Sequence, residues 1–452
     1  MKSINRLCED PSPTLRINSG RSISRRSCDP GGTIIASAKR GRAFQAREDN
    51  LVNYVSRVSV LILFLLPLLI FAQPQFFGYF ESEASTMALG SETYTYGFNK
   101  LRLDVEARPN DHVLIGANVN FEKYWGKTTW NVYDFIPGYQ DLGAVMNIAL
   151  NDTILLDNMY MRLRFPFADL TVGRQQLSPG VGYAWNPTDI FNTKSLMDPS
   201  YEQTGVPAIR VEVPMVGRFS IDAVVDPVED WDKSTKQVWF KGGVKHFDFA
   251  LTRAEYTWYQ IPLATGTYNF GTKVERMLMG GSIVGELLGF GVWAEYGYND
   301  LDLSIYGSCP TCTDYLLPLL TTPFEEWVLG LDRTFDNSLY VLAEYFHNGY
   351  GIARKEALSL SDYVYAFEGV THSLMQDYTF VYIMHPTFDY VSLSAIAFAN
   401  LNDNSGVISP MLEWNAFQNT NMSVQGSLAW GEADTEFGLQ DWGLILNVTS
   451  NF

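Results

Sequence analysis

The chain has 452 residues, of which 14% are aromatic and 18% are charged. This composition argues against a soluble helical or α/β enzyme and favours β structure. Residues 1–72 contain 11 basic and 5 acidic residues (net +6), which leaves 21 basic and 45 acidic residues (net −24) for 73–452. The acidic excess argues against a nucleic-acid partner, which would need a basic surface.

The first 72 residues divide into two parts. Residues 1–50 are rich in Ser, Arg and Gly without periodicity, which predicts an unstructured extension or residues wrongly placed ahead of the true start. The apolar run 60–71 has 12 residues and follows Arg57. That length is typical of a signal-peptide core and too short for a bilayer-spanning helix. We therefore expect 51–72 to be a signal peptide and 73–452 to be the exported domain, and an organelle transit peptide is the alternative for the Arg- and Ser-rich residues 1–50.

The exported part alternates apolar and polar residues with the period of two that is typical of β-strands, although a soluble sandwich would share it. Short turns alternate with longer polar connections, which is typical of an up-and-down transmembrane barrel. Long connections are expected near 86–96, 180–206, 300–323 and 401–406, among others. The sequence predicts an all-β, transmembrane antiparallel up-and-down β-barrel of about 18 strands, with 16 as the alternative.

The C-terminus carries the most specific signal. From Trp442 to Phe452, five of the six positions that share the parity of Phe452 are apolar, against one of five on the other parity. A last strand that ends in Phe resembles the assembly signal of outer-membrane proteins, and it predicts that Phe452 faces lipid at the periplasmic rim. A closed barrel also leaves no unpaired sheet edge in lipid.

One region resembles a known group of proteins. Residues 173–175 (Gly-Arg-Gln), 186–192 (Asn-Pro-Thr-Asp-Ile-Phe-Asn) and 205–210 (Gly-Val-Pro-Ala-Ile-Arg) are similar to porin-like outer-membrane proteins of mostly unknown substrate. This resemblance implies a porin-like barrel. The long loop after residue 175, with Asn186, Asp189 and Phe191, is predicted to fold into the barrel and narrow the pore.

Charged residues on the polar parity of the strands would each cost a few kcal/mol if they faced lipid, so we expect them to line the pore. The candidates are Arg102, Asp104, Glu106, Arg162, Arg164, Arg174, Arg210, Glu212, Lys241, Lys245, Glu295, Asp332, Glu344 and Glu413. Arg174 shares parity with Leu170 and Val172, so a bulge at Gly173 would have to turn it inward. Such charges either orient polar solutes across the pore or merely pair and hydrate the wall.

The sequence contains no recognisable catalytic or metal-binding motif. Its five His residues, at 112, 246, 347, 372 and 385, lack ligand spacing, so neither a metal ion nor a cofactor is expected. His347 or His372 could serve a hydrolase, but no serine motif accompanies either. Cys309 and Cys312 are the only cysteine pair of the exported part, and they predict a small disulfide in an outer loop.

Together these features predict a passive outer-membrane channel for small polar solutes, and not an enzyme, because 16 to 18 strands enclose an aqueous lumen. The acidic excess predicts a mild cation preference. A barrel enzyme of the lipase or protease type and a structural or adhesive barrel are the alternatives. Expected partners are outer-membrane lipid and lipopolysaccharide, periplasmic chaperones and the barrel assembly machinery, with a homotrimer left open.

Overall fold

The computed structural model describes residues 74–140, 147–192, 194, 203–259, 263–265, 268–308, 315–359, 362–363 and 372–452. The proposed extension, the signal peptide and both Cys309 and Cys312 lie outside the described residues. Within the described ranges, no helix is long and apolar enough to cross a membrane.

The described chain consists almost entirely of β-strands and their connections. In chain order they are β1 (Gln75–Leu89), β2 (Glu92–Asn110), β3 (Val113–Gly126), β4 (Thr129–Asn131), β5 (Asn147–Ala149), β6 (Thr153–Arg164), β7 (Asp169–Gln175), β8 (Val206–Pro214), β9 (Ser220–Asp226), β10 (Thr235–Val244), β11 (Phe247–Tyr259), β12 (Leu263–Thr265), β13 (Tyr268–Leu287), β14 (Phe290–Ser308), β15 (Tyr315–Thr334), β16 (Tyr340–Asn348), β17 (Asp377–Phe388), β18 (Val391–Asn400), β19 (Ser405–Phe417), β20 (Thr420–Trp430) and β21 (Gln440–Asn451). Short 3-10 turns occupy Val132–Phe135, Trp231–Lys233 and Lys355–Ala357.

Eighteen of these strands form one closed antiparallel barrel, which confirms the predicted fold and strand number. Each barrel strand pairs with its sequence neighbours in the barrel, and β1 pairs with β21 to close the sheet. The other three strands are short: β4 and β5 form a separate hairpin, and β12 adds to the end of β13.

Three of the predicted long connections are wrong. Over 300–323, β14 continues to Ser308 and β15 starts at Tyr315. β1 runs to Leu89 and β2 starts at Glu92, so only Gly90 and Ser91 join them instead of an irregular stretch over 86–96. Gly90 has a φ of +58°, the left-handed conformation that tight hairpin turns require. Strands β18 and β19 are likewise joined by four residues, 401–404. Polar residues here continue the strands, because both faces of a strand that extends beyond the membrane can meet water.

The two faces of the sheet differ as the alternation predicted. On the inner face Arg102 is 9% exposed and lies opposite Asn120, whereas on the outer face Leu103 is 41% exposed and lies opposite Val119. An apolar outer face on a closed sheet suits a lipid bilayer, because closure leaves the sheet without an unpaired edge to face lipid. Exposed aromatic rings stand near the short-turn ends of the strands, among them Phe76, Phe388 and Phe417.

The barrel closes at the C-terminal residue. The Phe452 N–H donates to the carbonyl of Gly78 over 3.0 Å, and the Gly78 N–H donates back to the carbonyl of Phe452 over 3.1 Å. A Cβ at Gly78 would collide with the Arg102 carbonyl and reach the Phe452 ring, so the glycine gives this ring its place at the seam. The Phe452 side chain is 60% exposed and shares the outer face with Leu446 and Val448.

The lumen is filled unevenly. Along β14 to β19 large apolar side chains occupy the inner face, where a water-filled barrel would carry polar ones. We call the region that they fill the packed half of the lumen. Its buried members are Val132, Ile136, Ala184, Trp185, Trp293, Val328, Leu342, Phe346, Tyr363, Leu374, Met375, Tyr378, Phe380, Phe398 and Val407. Several of these belong to connections that fold into the barrel, so the packed half is built from strands and loops together.

Candidate functional site: the lumen and its inserted loop

The connection after β7 enters the lumen. We call residues 176–192 the inserted loop. Its Trp185 is 3% exposed and stacks on Phe346 of β16, with ring centroids 5.1 Å apart and planes 7° from parallel. Tyr183 packs beside Phe380 of β17, with centroids 5.6 Å apart. Burial of two large rings against the wall stabilises the loop inside the barrel.

Glu295 of β14 anchors the inserted loop through its backbone. One carboxylate oxygen, Oε2, accepts the N–H of Val181 over 2.7 Å and that of Gly182 over 3.3 Å. The other, Oε1, accepts both the N–H and the hydroxyl of Thr188, over 2.7 and 2.8 Å. The carboxylate is 2% exposed, and a charge so buried needs several donors to compensate for lost hydration.

Glu344 of β16 is a second anchor. Its carboxylate accepts the N–H groups of Tyr183 and Ala184, the latter over 2.7 Å, and the indole N–H of Trp293 over 2.6 Å. Two charges of the wall therefore hold four consecutive backbone N–H groups of the loop, from Val181 to Ala184. This arrangement is a backbone anion site whose anion is supplied by the protein itself.

The wall beneath the loop carries glycines where the loop approaches it closely. Gly280 of β13 and Gly297 of β14 lie opposite each other on the inner face. A Cβ at Gly297 would stand 2.9 Å from the carbonyl oxygen of Pro187, and one at Gly280 would stand 3.0 Å from the Thr188 methyl group. Larger residues at either position would push the loop away from Glu295.

The three loop residues singled out in the sequence have separate places. Asp189 is 2% exposed, and its Oδ1 accepts the N–H groups of Phe191 and Asn192 over 2.9 and 3.1 Å. Burial raises the pKa of Asp189 to about 7, although these N–H groups and the nearby His372 oppose the rise. Asn186 donates to the carbonyl of Pro179 over 3.2 Å. Phe191 packs on a small cluster around Trp239.

The opposite side of the lumen contains two adjacent cavities of about 420 and 350 Å³, which share Gln176 and Arg210. We call this region the open half. Its wall comes from β1 to β3, β6 to β11 and β13, so it faces the packed half across the inserted loop. Polar inner-face side chains line it, as the alternation predicted for a water-filled lumen.

Ion pairs run along the wall of the open half. Arg102 donates to Asp104 over 2.8 to 3.0 Å. Arg210 donates to Asp222 over 2.7 and 3.0 Å and to Glu212 over 2.8 Å, and Lys241 donates to Asp222 over 2.8 Å. The guanidinium of Arg162 instead donates to the Thr171 hydroxyl over 3.3 Å, and no carboxylate within the described ranges forms an ion pair with it.

Other candidates lie at the margins of the lumen. Glu106 lines the smaller cavity and accepts from Arg108 over 2.8 Å, and Arg164 lies 3.9 Å from Asp169 at the short-turn end. Asp332 accepts the Tyr340 hydroxyl over 2.8 Å, and Glu413 accepts from Asn421 over 3.0 Å. Lys245 has a φ of +55° in the two-residue turn between β10 and β11, outside the wall.

The structure does not bring Arg174 into the open half. It pairs with Met159 and Pro207, which have outer-face parity, although Gly173 before it has a φ of +119°. No register shift accompanies this glycine, so the backbone does not turn the next side chain inward. Arg174 instead donates through Nε to the carbonyl of Asp157 over 2.8 Å and ties β7 to the bulge in β6.

Some inner-face residues escaped the sequence analysis. Asp222, at the centre of the Arg210 and Lys241 pairs, stands on the inner parity of a short strand and could have been found by alternation. Glu326 of β15 is fully buried, and both of its oxygens lie 3.0 Å from Nδ1 of His372. Burial lowers the pKa of His372, but the Glu326 carboxylate outweighs it, so the pKa is raised. Only the folded structure brings these two residues together.

Comparison with known proteins gives similarity of structure alone. No family model matches the sequence, and no curated protein is similar to it. OccK8 (OprE) of Pseudomonas aeruginosa has a TM-score of 0.47 and 8% identity over 84% of this chain and 99% of that one. The loop L8 deletion mutant of Vibrio cholerae OmpT has a TM-score of 0.42 and 10% identity over 84% and 99%. Salmonella typhi OmpF, in complex with daunomycin, has a TM-score of 0.40 and 10% identity over 84% and 97%.

The chain's own features decide its class. Its sheet closes without an edge, its outer face is apolar with aromatic rings at the rim, and charged side chains stand on the inner face. A sheet with these properties satisfies its backbone in lipid and encloses polar groups away from it. The chain is a transmembrane antiparallel β-barrel of 18 strands, and its fold resembles that of bacterial outer-membrane proteins.

Proposed function

We propose that the protein is a passive outer-membrane channel for small polar solutes. The observation that carries this proposal is the division of the lumen: the carboxylates that anchor the inserted loop, Glu295 and Glu344, stand on one wall, while charged and amide side chains line the cavities along the other. A barrel that served only as a scaffold would gain stability by filling this side with apolar groups as well.

The charges favour weak ion selectivity. The two cavities are lined by five cations (Arg102, Arg162, Arg210, Arg218, Lys241) and four carboxylates (Asp104, Glu106, Asp222, Asp248). The wall is therefore close to neutral, and the acidic excess of the chain is carried elsewhere. Exposed carboxylates such as Glu229, Asp230 and Asp232 of the connection between β9 and β10 contribute to it. Acidic connections concentrate cations at the mouth, so the proposal includes a mild cation preference.

Conductance of the purified, refolded protein in a planar bilayer tests the proposal. We expect discrete ion steps, with a reversal potential in a KCl gradient that favours K⁺ slightly. Heat-modifiable migration on a gel establishes that the barrel is folded in the same sample. Folded protein that produces no ion steps would contradict a channel, and a reversal potential that favours Cl⁻ would contradict the cation preference alone.

We also propose that the protein is not an enzyme. A hydrolase needs a nucleophile hydrogen-bonded to a general base. Among the described residues, Nδ1 of His347 bonds to Asp377 and Nδ1 of His372 bonds to Glu326, and no serine motif accompanies either histidine in the sequence. Esterase and peptidase assays on the folded protein should therefore stay at background. Sedimentation in detergent decides whether the barrel is a monomer or the homotrimer that the sequence left open.

A further inference from the structure

The larger cavity of the open half has the dimensions of a binding site. It measures about 420 Å³ and lies between residues 176–181 of the inserted loop and the inner wall of β8 to β11 and β13. Sites for small molecules begin at about 300 Å³, so a solute of six or seven carbon atoms fits with some water. A solute that crosses the open half beside the loop must pass this wall.

Three donors surround one carboxylate on this wall. Asp222 is 3% exposed and accepts from Arg210 and Lys241. Trp239 lies directly opposite Asp222 on β10, and Lys241 follows two residues later on the same face. Side chains at such positions stand about 5 to 7 Å apart, which places all of them around one small space.

These donors have unused hydrogen-bonding capacity. The indole N–H of Trp239 is buried and has no acceptor among the described residues. Arg210 donates to its two carboxylates through Nε and Nη2, so Nη1 remains available as a donor. Lys241 donates through one of its three N–H bonds. An unpartnered buried donor is uncommon and costs free energy until an acceptor arrives. The carboxylates of the site, by contrast, already accept from these cations.

We propose that this cavity binds hydroxylated carboxylates of about six carbon atoms as they cross the channel, an inference that rests on the proposed channel function. The carboxylate of the solute meets Arg210, Trp239 and Lys241. Its hydroxyl groups face Thr252 and Ser282, which line the same cavity. A cation would meet carboxylates that already accept from Arg210 and Lys241, and a neutral polyol would offer the remaining N–H groups of these cations no charged acceptor.

Single-channel recording with two matched solutes tests the assignment. Gluconate and sorbitol have the same six-carbon chain and differ by the carboxylate. We expect gluconate to cause transient, concentration-dependent current blocks and sorbitol to cause none. Trp239→Phe keeps an aromatic ring but removes the N–H, and it should shorten the blocks about ten-fold, the loss expected for one hydrogen bond to a charged acceptor. Lys241→Gln should shorten them as well.

Lys236→Gln is the matched control, because Lys236 is on the same strand but on the outer face, between Thr235 and Gln237. It should leave the blocks unchanged, and all variants should keep heat-modifiable migration. Equal blocking by sorbitol would overturn the carboxylate assignment. Unchanged block times in both Trp239→Phe and Lys241→Gln would overturn the site. Folded wild-type protein without ion steps would instead refute the channel itself.

Discussion

The packed and open halves of the lumen are both built from alternating strands, but the side chains on their inner faces find different partners. In the packed half, Phe346, Tyr378 and Phe380 exclude water, and the carboxylates of Glu295 and Glu344 are saturated by backbone N–H groups of the inserted loop. In the open half, Arg210 and Asp222 pair with each other and keep access to the cavities. The difference indicates that the wall of the packed half carries the charged anchors of the loop, whereas the wall of the open half leaves cavities for solutes.

The largest expected effect is the loss of both anchors. Replacing Glu295 and Glu344 together by Gln puts amide hydrogens against the loop N–H groups and removes two charges that hold them. Hydrogen bonds to charged groups contribute about 1.5 to 3 kcal/mol each, so the loop should lose about 5 kcal/mol or more of its attachment. We expect a several-fold larger and noisier single-channel conductance, because a loop without its anchors would no longer fill the packed half.

Glu413→Gln is the control for this double variant, since Glu413 is also on the inner face but bonds to Asn421 and Ser392 instead of the loop. Its conductance should match that of the wild type. A double variant with unchanged conductance would show that the inserted loop does not limit the open half.

A mutation that creates a cavity in the packed half should have the next largest effect, a loss of stability. Trp185→Ala removes the ring that stacks on Phe346, and truncation of buried aromatic residues typically costs about 3 kcal/mol or more. We expect a lower midpoint of urea unfolding in lipid vesicles. Phe121→Ala, on the lipid-facing side, is the comparison and should cost less, because acyl chains can fill the space. Equal losses would mean that the cluster around Trp185 is not tightly packed.

Sequence patterns predicted the barrel well because alternation and chain-end parity are local properties. The parity of Trp442 to Phe452 and the polar residues of β2 needed no knowledge of distant neighbours. The packed half could not be predicted in this way: Phe346 and Phe398 are apolar residues on the inner parity, which contradicts the rule that a lumen is polar. The anchors depend on contacts between residues 107 to 161 positions apart, such as Thr188 with Glu295 and Tyr183 with Glu344. No local pattern encodes such contacts.

The attachment of the inserted loop should also depend on pH, with a smaller effect on the current than the two changes above. The pKa of Asp189 is raised to about 7 against an ordinary value of 3.8, so its burial favours the neutral acid. The loop is therefore attached most firmly in acid, and attachment weakens as pH rises from about 4 through 7. Charges near this carboxyl include His372 and the Lys194 ammonium. Current noise should grow between pH 5 and 8, and Asp189→Asn should reduce this change. Noise that falls with rising pH would contradict the assignment.

The smallest effect tests the open half alone. Arg162 is a wall cation without a carboxylate partner among the described residues, so Arg162→Gln changes the balance of the wall from five cations and four carboxylates to four of each. The reversal potential in a KCl gradient should shift by a few millivolts in the direction of greater cation preference. The shift is small because mobile ions screen charges beyond about 10 Å at 0.1 M salt and about 3 Å at 1 M, so it should be measured at 0.1 M and vanish at 1 M. Lys123→Gln is the control, because this exposed outer-face lysine pairs with Asp152 and has no place in the lumen. If both variants shift the potential equally, the total charge of the protein and not the wall of the open half sets its selectivity.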